Sequence, residues 1–541
     1  MQIVIPMSGA GARFVRAGYR TLKPLVEVDG RPMIEHVAGM FPGAHEFLFI
    51  CAETHLAETP LRAVLERIAP SGQIVGIAPH QRGPVHAALE AAAFIEDDAP
   101  VVLSYCDFGA EWDFGAFERR MAELQCAGCV TAYRGFHPHS LGPTLYAYIR
   151  ERDGRLLEIQ EKRAFTDDRM REYASAGTYY FRTGALLKHY FRQAVARGLA
   201  TNGEFYASMP YNLMVADGLD VRVYELARFL QWGTPEDLEE YQAWSRYFRH
   251  SATWRPRGPA TEGTTLVPMA GAGVRFQRAG YTRPKPLVPV DGVPMIERAR
   301  GSFPRTTRAV AVGQATHLAG GAIRAALRDV ELVTVPGLTA GQASTCLAAR
   351  DRIDPDTPLL IAPCDAGVVY DEARWARLIA DPGIDAVVWT FRNHPHANRS
   401  PRQYGWVRTT RDGDVAGVSC KTPISEDPRR DPGVIGAFWF RRARFFLEAA
   451  DALIAAGRRV NGEFYVDSVV DVLCEQGRRA RVFDVDHYLS FGTPDDVRTY
   501  EYWAGYFRDR ARVDSRSATG FPGRSERWGG VGGHFGAPHD E

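Results

Sequence analysis

Apolar residues in this chain fall into two alternating patterns. Short unbroken runs such as MQIVIP, EFLFICA, QIVGIA and PVVLSYCD have the length and composition of buried strands. Between them PMIEHVAGMF, LAETPLRAVLERIA and PVHAALEAAAFI carry apolar positions at helical spacing. Strands alternating with helices predict a mostly parallel sheet covered on both faces. Farther along, YAYIRE, GRLLEIQEK and GTYYFRTG predict antiparallel strands added to that sheet. Ligands of such open sheets bind beyond the carboxyl ends of the strands.

The whole pattern occurs twice. Residues 7–36, MSGAGARFVRAGYRTLKPLVEVDGRPMIEH, return as residues 269–298, MAGAGVRFQRAGYTRPKPLVPVDGVPMIER. SYCDFG returns as APCDAG, NGEFY as NGEFY, GTPEDL as GTPDDV, and YQAWSRYFR as YEYWAGYFR, in the same order. Unrelated sequences do not share so many ordered blocks. The chain therefore reads as two homologous domains, 1–249 and 264–508, with HSATWRPRGPATEG (250–263) as a Pro/Gly-containing linker. Residues 509–541, rich in Gly, Ser and Arg, have little to bury and predict a mobile tail.

Length agrees with two domains, since a single core stops growing at roughly 250–300 residues and this chain has 541. With 45% hydrophobic and 24% charged residues it has the composition of a soluble globular protein. Lys+Arg and Asp+Glu both total 65, so no overall field draws it to nucleic acid or to an anionic membrane. Any anionic ligand has to be held by local groups. The N-terminus lacks the pattern of a secretory signal, and no apolar run approaches the roughly 18–20 residues of a membrane span. Eight cysteines without a dense framework suit a reducing compartment, and the expectation is a cytoplasmic protein. Cys126 and Cys129 form one CxxC, but no second pair or His cluster lies near to complete a zinc site.

The first strand of each domain delivers the chain into Gly-x-Gly-x-Arg: Gly9, Gly11 and Arg13, then Gly271, Gly273 and Arg275. Glycines let backbone N–H groups approach phosphate oxygens, and arginine adds a bidentate donor. Such loops also occur in α/β proteins with no phosphate in them. A lysine ten residues after the arginine sharpens the reading: Lys23 in LKPLVEVDGRPMI and Lys285 in PKPLVPVDGVPMI.

This constellation resembles the signature of sugar-phosphate nucleotidyltransferases such as glucose-1-phosphate thymidylyltransferase, over essentially all of both domains. The resemblance implies two Rossmann-like mixed-sheet α/β domains in tandem and an NTP-dependent, Mg²⁺-dependent reaction. It assigns Arg13, Lys23, Arg275 and Lys285 to the phosphates at the reacting centre. Asp107 and Asp365, ending the fourth strands, take the family's metal-binding position. By residue type alone such an aspartate is either a helix cap or a Mg²⁺ ligand, and its position favours the ligand. The Gly-rich nucleobase loop of the family matches Gly341, Gln342 and Ala343 well, and Arg82, Gly83 and Pro84 less well. Sugar-phosphate recognition falls by resemblance to Glu161, Lys162 and Gly177 in the first domain. In the second, Lys421 and Gly436 persist, but Cys420 replaces the glutamate. One domain thus looks better equipped for the sugar and the other for the base.

Both domains depart from the family once more: Gln231 and Ser490 occupy the place of its second metal-binding aspartate. A neutral side chain is a poor Mg²⁺ ligand. Glu204 and Glu463 of the repeated NGEFY are candidates to substitute, or to accept hydrogen bonds from ligand hydroxyls. The implied reaction is nucleotidyl transfer from an NTP to a sugar phosphate or similar phosphomonoester, giving an activated precursor for surface polysaccharide. The partners are then an NTP and a phosphorylated small molecule, and homo-oligomerisation is left open. Two other readings stand beside it: one domain catalytic with the other a regulatory or scaffolding domain, or a glycosyltransferase using a nucleotide sugar. The second lacks support from an Asp-x-Asp motif, which neither CDF nor CDA supplies.

Overall fold

The computed structural model describes residues 1–518 apart from 44, 45, 144, 320, 396 and 398, with side chains described as far as residue 512. The chain divides into two compact units, Met1–Ser245 and Arg246–Glu541. Each unit is one module.

The first module is built on a nine-stranded mixed sheet. Gln2–Met7 is buried along its whole length between two parallel neighbours, Glu46–Ala52 and Val101–Ser104. Gln73–Ile77 extends the parallel half beyond Glu46–Ala52. Successive residues of the first strand enter opposite cores: Val4 packs with Leu48, Leu103 and Phe181, while Ile3 and Ile5 pack with Phe49, Val102 and Phe117. That two-sided burial is why these strands are continuously apolar rather than alternating. Tyr173–Phe181 runs antiparallel to Val101–Ser104 and opens the second half of the sheet. There Gly128–Tyr133, Val221–Glu225, Arg155–Glu161 and Ala147–Arg152 follow in spatial order.

One expected helix is broken in two. The apolar periodicity over residues 56–69 becomes Glu53–Glu58 and Leu61–Ile68, with Thr59 in extended conformation between them. Pro60 has no N–H to continue the first helix and pushes the residue before it out of helical geometry. Thr59 Oγ1 then donates to the His55 carbonyl, at 2.6 Å.

The second module repeats the plan. Thr261–Pro268 lies between parallel Thr306–Gln314 and Leu359–Ile361, and Gly433–Phe440 runs antiparallel to the latter. The hairpin of Gly405–Thr409 and Val415–Cys420 joins the sheet beside Gly433–Phe440. In each module a two-stranded ribbon stands apart from the sheet: Phe108–Glu111 with Arg228–Gln231, and Ala366–Val369 with His487–Ser490.

Thr261–Pro268 begins inside the stretch read as linker, and Trp254 meets the Tyr370 ring edge-on at 5.0 Å. The N–H groups of Arg257 and Gly258 donate to the Glu372 carboxylate. This polar segment thus has fixed partners within the second module. The last helix, Pro494–Ala518, continues past residue 508, because DRARVDSRSA contains no glycine or proline to stop it. The rest of the expected mobile tail, 519–541, lies outside the described residues.

Candidate functional site

The phosphate-loop glycines have different reasons to be glycine. Gly11 and Gly273 are left-handed, with φ of 61° and 65°, at the N-termini of the short helices Ala12–Arg16 and Val274–Arg278. A side chain on either would be strained and would press on the following lysine: a Cβ would lie 3.3 Å from Lys23 Cβ and 3.2 Å from Lys285 Cβ. Gly9 and Gly271 have open space where a Cβ would point. Their side-chain-free backbone leaves room for a ligand rather than for the protein. Arg13 and Arg275, just past the loops, are solvent-exposed.

The fixed spacing to the lysine has a structural cause. Lys23–Leu25 and Lys285–Leu287 form single 3₁₀ turns that seat against the glycine loop. From there Lys23 Nζ reaches Asp107 Oδ2 at 2.6 Å and the Gly233 carbonyl at 3.1 Å. Lys285 makes the same ion pair with Asp365. Burial works against the charge of Lys285, but Asp365 beside it more than compensates and raises its pKa. Neither aspartate caps a helix. Each is followed by a ribbon strand, and the caps of the next helices are Asp113 and Asp371.

These residues line one cleft of about 490 Å³ in the first module. Gly11, Arg13, Lys23 and Asp107 share it with Glu161, Lys162, Gly177 and Glu204. Eight residues predicted from five separate stretches of sequence are therefore gathered at one place. Gln231 also borders the cleft, its Oε1 accepting from the Gly233 N–H. On the far wall Lys162, left-handed at φ 59°, donates to Tyr206 Oη at 2.6 Å, and that hydroxyl donates to Glu204 at 2.6 Å. Glu161 accepts from Ser208 Oγ, and burial raises its carboxyl pKa against the opposing pull of Ser208 and Lys162.

Gly83 is not among the lining residues, and its role is clear from its neighbours. The Phe205 N–H donates to the Arg82 carbonyl (2.9 Å), and the Val85 N–H to the Phe205 carbonyl (3.2 Å). A Cβ on Gly83 would lie 2.8 Å from backbone atoms of Phe205. In the second module Phe464 is stitched identically to Ala340 and Ala343, with Gly341 between them. The base loop and NGEFY are therefore one unit, a link that sequence reading missed. The poorer motif match at Arg82–Pro84 does not alter this backbone, while Gln342 opens the helix Gln342–Leu347.

In the second module Lys421, at φ 61°, sits 5.4 Å from the Tyr465 ring centroid and donates to the Gln403 carbonyl. Gly436 (φ 91°) matches Gly177 (φ 83°). Burial and the neighbouring Glu463 carboxylate raise the Tyr465 pKa, as burial and Glu204 raise that of Tyr206. Ser490 donates to Asp496, which lies close to Gly492 together with Asp365. Among the described residues no three His, Cys, Asp or Glu cluster as metal ligands. Cys126, of the CxxC, directs its thiol at Met121 Sδ.

The model of the MobA-like NTP transferase domain matches twice, at residues 3–170 and 265–456, well over half the chain. The chain belongs to the MobA-like NTP transferase family. The resemblance read from the motifs is borne out, and the chain carries the MobA-like NTP transferase domain in duplicate. A curated relative, CMP-5'-(3-aminopropyl)phosphonate synthase of Streptomyces rubellomurinus, is 27% identical over 271 residues, or 46% of this chain. The match spans only 40% of that relative's length. Solved structures similar to this MobA-like chain include a nucleoside-diphosphate-sugar pyrophosphorylase from Vibrio cholerae, at 20% identity and TM-score 0.38, covering 44% of this chain and 99% of that one. The inositol-1-phosphate CTP transferase from T. maritima matches at 16% identity and TM-score 0.36, covering 44% and 90%. No helix among the described residues is long and apolar enough to cross a membrane.

Proposed function

We propose that each module transfers a nucleotidyl group from an NTP to a phosphorylated or phosphonylated small molecule and releases pyrophosphate. The observation that carries this reading is that a glycine loop, a lysine and a strand-end aspartate meet in both modules, and in the first they share a cleft with a second lysine on a left-handed turn. An acceptor oxygen forms the new bond to the α-phosphorus, and the bond to the β-phosphate oxygen breaks with its electron pair leaving on pyrophosphate. The acceptor oxyanion is already a nucleophile, so no general base is required. The protein contributes orientation and charge stabilisation.

In this scheme Arg13 and Lys23, or Arg275 and Lys285, face the triphosphate, while Lys162 or Lys421 faces the acceptor. Asp107 and Asp365 fit a magnesium ion, which takes one or two carboxylates with phosphates and water completing its shell. Bound there, Mg²⁺ supplies neutralisation of phosphate charge. The neutral Gln231 and Ser490 support a single-carboxylate arrangement in both modules, since the matching Asp237 and Asp496 are engaged by Thr234 and Thr493 at the start of the next helix. Glu204 is held by the Tyr206 hydroxyl and Glu463 lies beside Tyr465, which supports their role as acceptors toward ligand hydroxyls.

The relative named for joining CMP to a phosphonate supports CTP as donor and a small phosphonate as acceptor. The motif resemblance supports instead a sugar phosphate destined for surface polysaccharide. All eight cysteines are free, which supports a reducing, cytoplasmic setting. The decisive assay is pyrophosphate release from each NTP with sugar phosphates and phosphonates. Release of an NDP from a nucleotide sugar would identify a glycosyltransferase instead. Lys23→Ala and Lys285→Ala should each slow the module they alter by roughly 10²–10³-fold with folding intact. Wild-type rates in both single mutants and in the double mutant would refute the assignment.

A further inference from the structure

The acceptor walls of the two modules differ by a set of exchanges that compensate one another. In the first module Glu161 pairs across the ladder with Ala147 and accepts from Ser208 on the segment after NGEFY. The matching positions of the second module are Cys420, Gly405 and Asp467, where Cys420 again pairs across the ladder with Gly405. Burial and the neighbouring Asp467 carboxylate both raise the Cys420 thiol pKa. The carboxyl has moved from the strand position to the helix position, and the single negative charge of the pair remains. Gly405 completes the exchange, because a Cβ there would fall well inside contact distance of an Asp467 carboxylate oxygen. An alanine, as at 147, would evict it.

The surroundings change with it. Around Glu161, Tyr105 accepts from the Ala207 N–H at 3.3 Å, and Ser175 donates to the Tyr179 hydroxyl at 2.9 Å. The second module has Pro363, Val434 and Phe438 in place of Tyr105, Ser175 and Tyr179. A wall rich in hydroxyls has become an apolar one around a single buried carboxyl, 6% exposed, with Lys421 nearby.

Resting on the nucleotidyl-transfer reading, we propose that Asp467 supplies the acceptor-site carboxylate of the second module in place of Glu161. The two modules then select different acceptors. The second takes one with a phosphoryl group for Lys421 and one N–H or O–H donor for Asp467. Burial raises the Asp467 carboxyl pKa, while Lys421 opposes that rise, as expected of a charge held in reserve for a donor.

The test uses the full chain with Lys23→Ala, so that pyrophosphate release reports the second module. The probes are CTP with Mg²⁺ and, as acceptors, glucose 1-phosphate, glycerol 3-phosphate and 2-aminoethylphosphonate. Adding Asp467→Asn should raise the acceptor KM at least tenfold and leave the CTP KM within twofold. Gly405→Ala should do the same by displacing the carboxyl. The combined Cys420→Glu, Gly405→Ala and Asp467→Ser protein should shift acceptor preference toward that of the Lys285→Ala protein, which reports the first module. An unchanged acceptor KM in both Asp467→Asn and Gly405→Ala overturns the proposal. So does a second module that binds CTP but turns over none of the acceptors. A second module that binds no nucleotide overturns the transfer reading as well.

Discussion

The glycine loops of the two modules are close copies, whereas their acceptor walls are not. Gly11 and Gly273 differ by 4° in φ, Lys162 and Lys421 by 2°, and both strand-end aspartates bind the lysine of the KPL turn. Along the facing wall Tyr105, Ser175, Tyr179, Glu161 and Ser208 have become Pro363, Val434, Phe438, Cys420 and Asp467. A triphosphate is gripped mainly by backbone conformation and by charges at fixed reach, and such geometry tolerates little change. An acceptor is recognised by side chains on strands and a helix, which can change in matched pairs while the backbone stays in place. On the proposed reading, identity was retained where the ligand would be shared and lost where it would differ.

The comparison breaks most sharply at the aspartates. Asp107→Asn and Asp365→Asn, made separately, should each remove roughly 10²–10³-fold of the pyrophosphate release belonging to that module. Loss in one variant only would mean that the other module is a binding domain rather than a catalyst. A smaller effect is expected at the base loops. Gly83→Ala and Gly341→Ala place a Cβ 2.8 Å and 2.5 Å from the backbone of Phe205 and Phe464, at φ of 87° and 126°. Each should destabilise its module by about 1–3 kcal/mol and weaken NTP binding, with Gly341→Ala the worse, as denaturation and nucleotide titration would read.

The smallest expected effect concerns pH. Burial raises the Asp467 pKa above 3.8, so the folded protein binds this proton more tightly than the unfolded chain does. Its contribution to stability therefore falls as pH rises from near 3.8 through the folded pKa, and stays lower above it. Asp467→Asn should melt higher than wild type at pH 7, by about 2–4 °C per kcal/mol relieved, and the gap should close on acidification toward pH 4. A gap independent of pH would place the effect in packing rather than in charge.

Strands, duplication and nucleotide cradle were legible because each is written in local pattern: apolar runs, a recurring block, a lysine at fixed distance from glycine. The acceptor wall was not. Cys420 read as the loss of a glutamate because the compensating carboxyl stands in another segment, and only the fold brings the Glu161 and Ser208 positions into one hydrogen bond. The link between the base loop and Phe205 was hidden for the same reason, since it runs through backbone groups that carry no sequence signature. The break at Pro60 was written in the chain, but the surrounding periodicity of residues 56–69 masked it. Trp254 shows how a Pro-rich stretch that looks like a bare connector can be anchored by one aromatic ring.

The Lys23–Asp107 and Lys285–Asp365 pairs make each centre an ion exchanger. A bare anion that captured the ammonium group would strand a carboxylate without its counter-ion, and a bare cation that captured the carboxylate would strand the ammonium. In the proposed reaction a nucleotide arriving with its metal would replace both halves of the pair together and strand neither. The resting pair would then discriminate against stray phosphate before any base or acceptor is recognised.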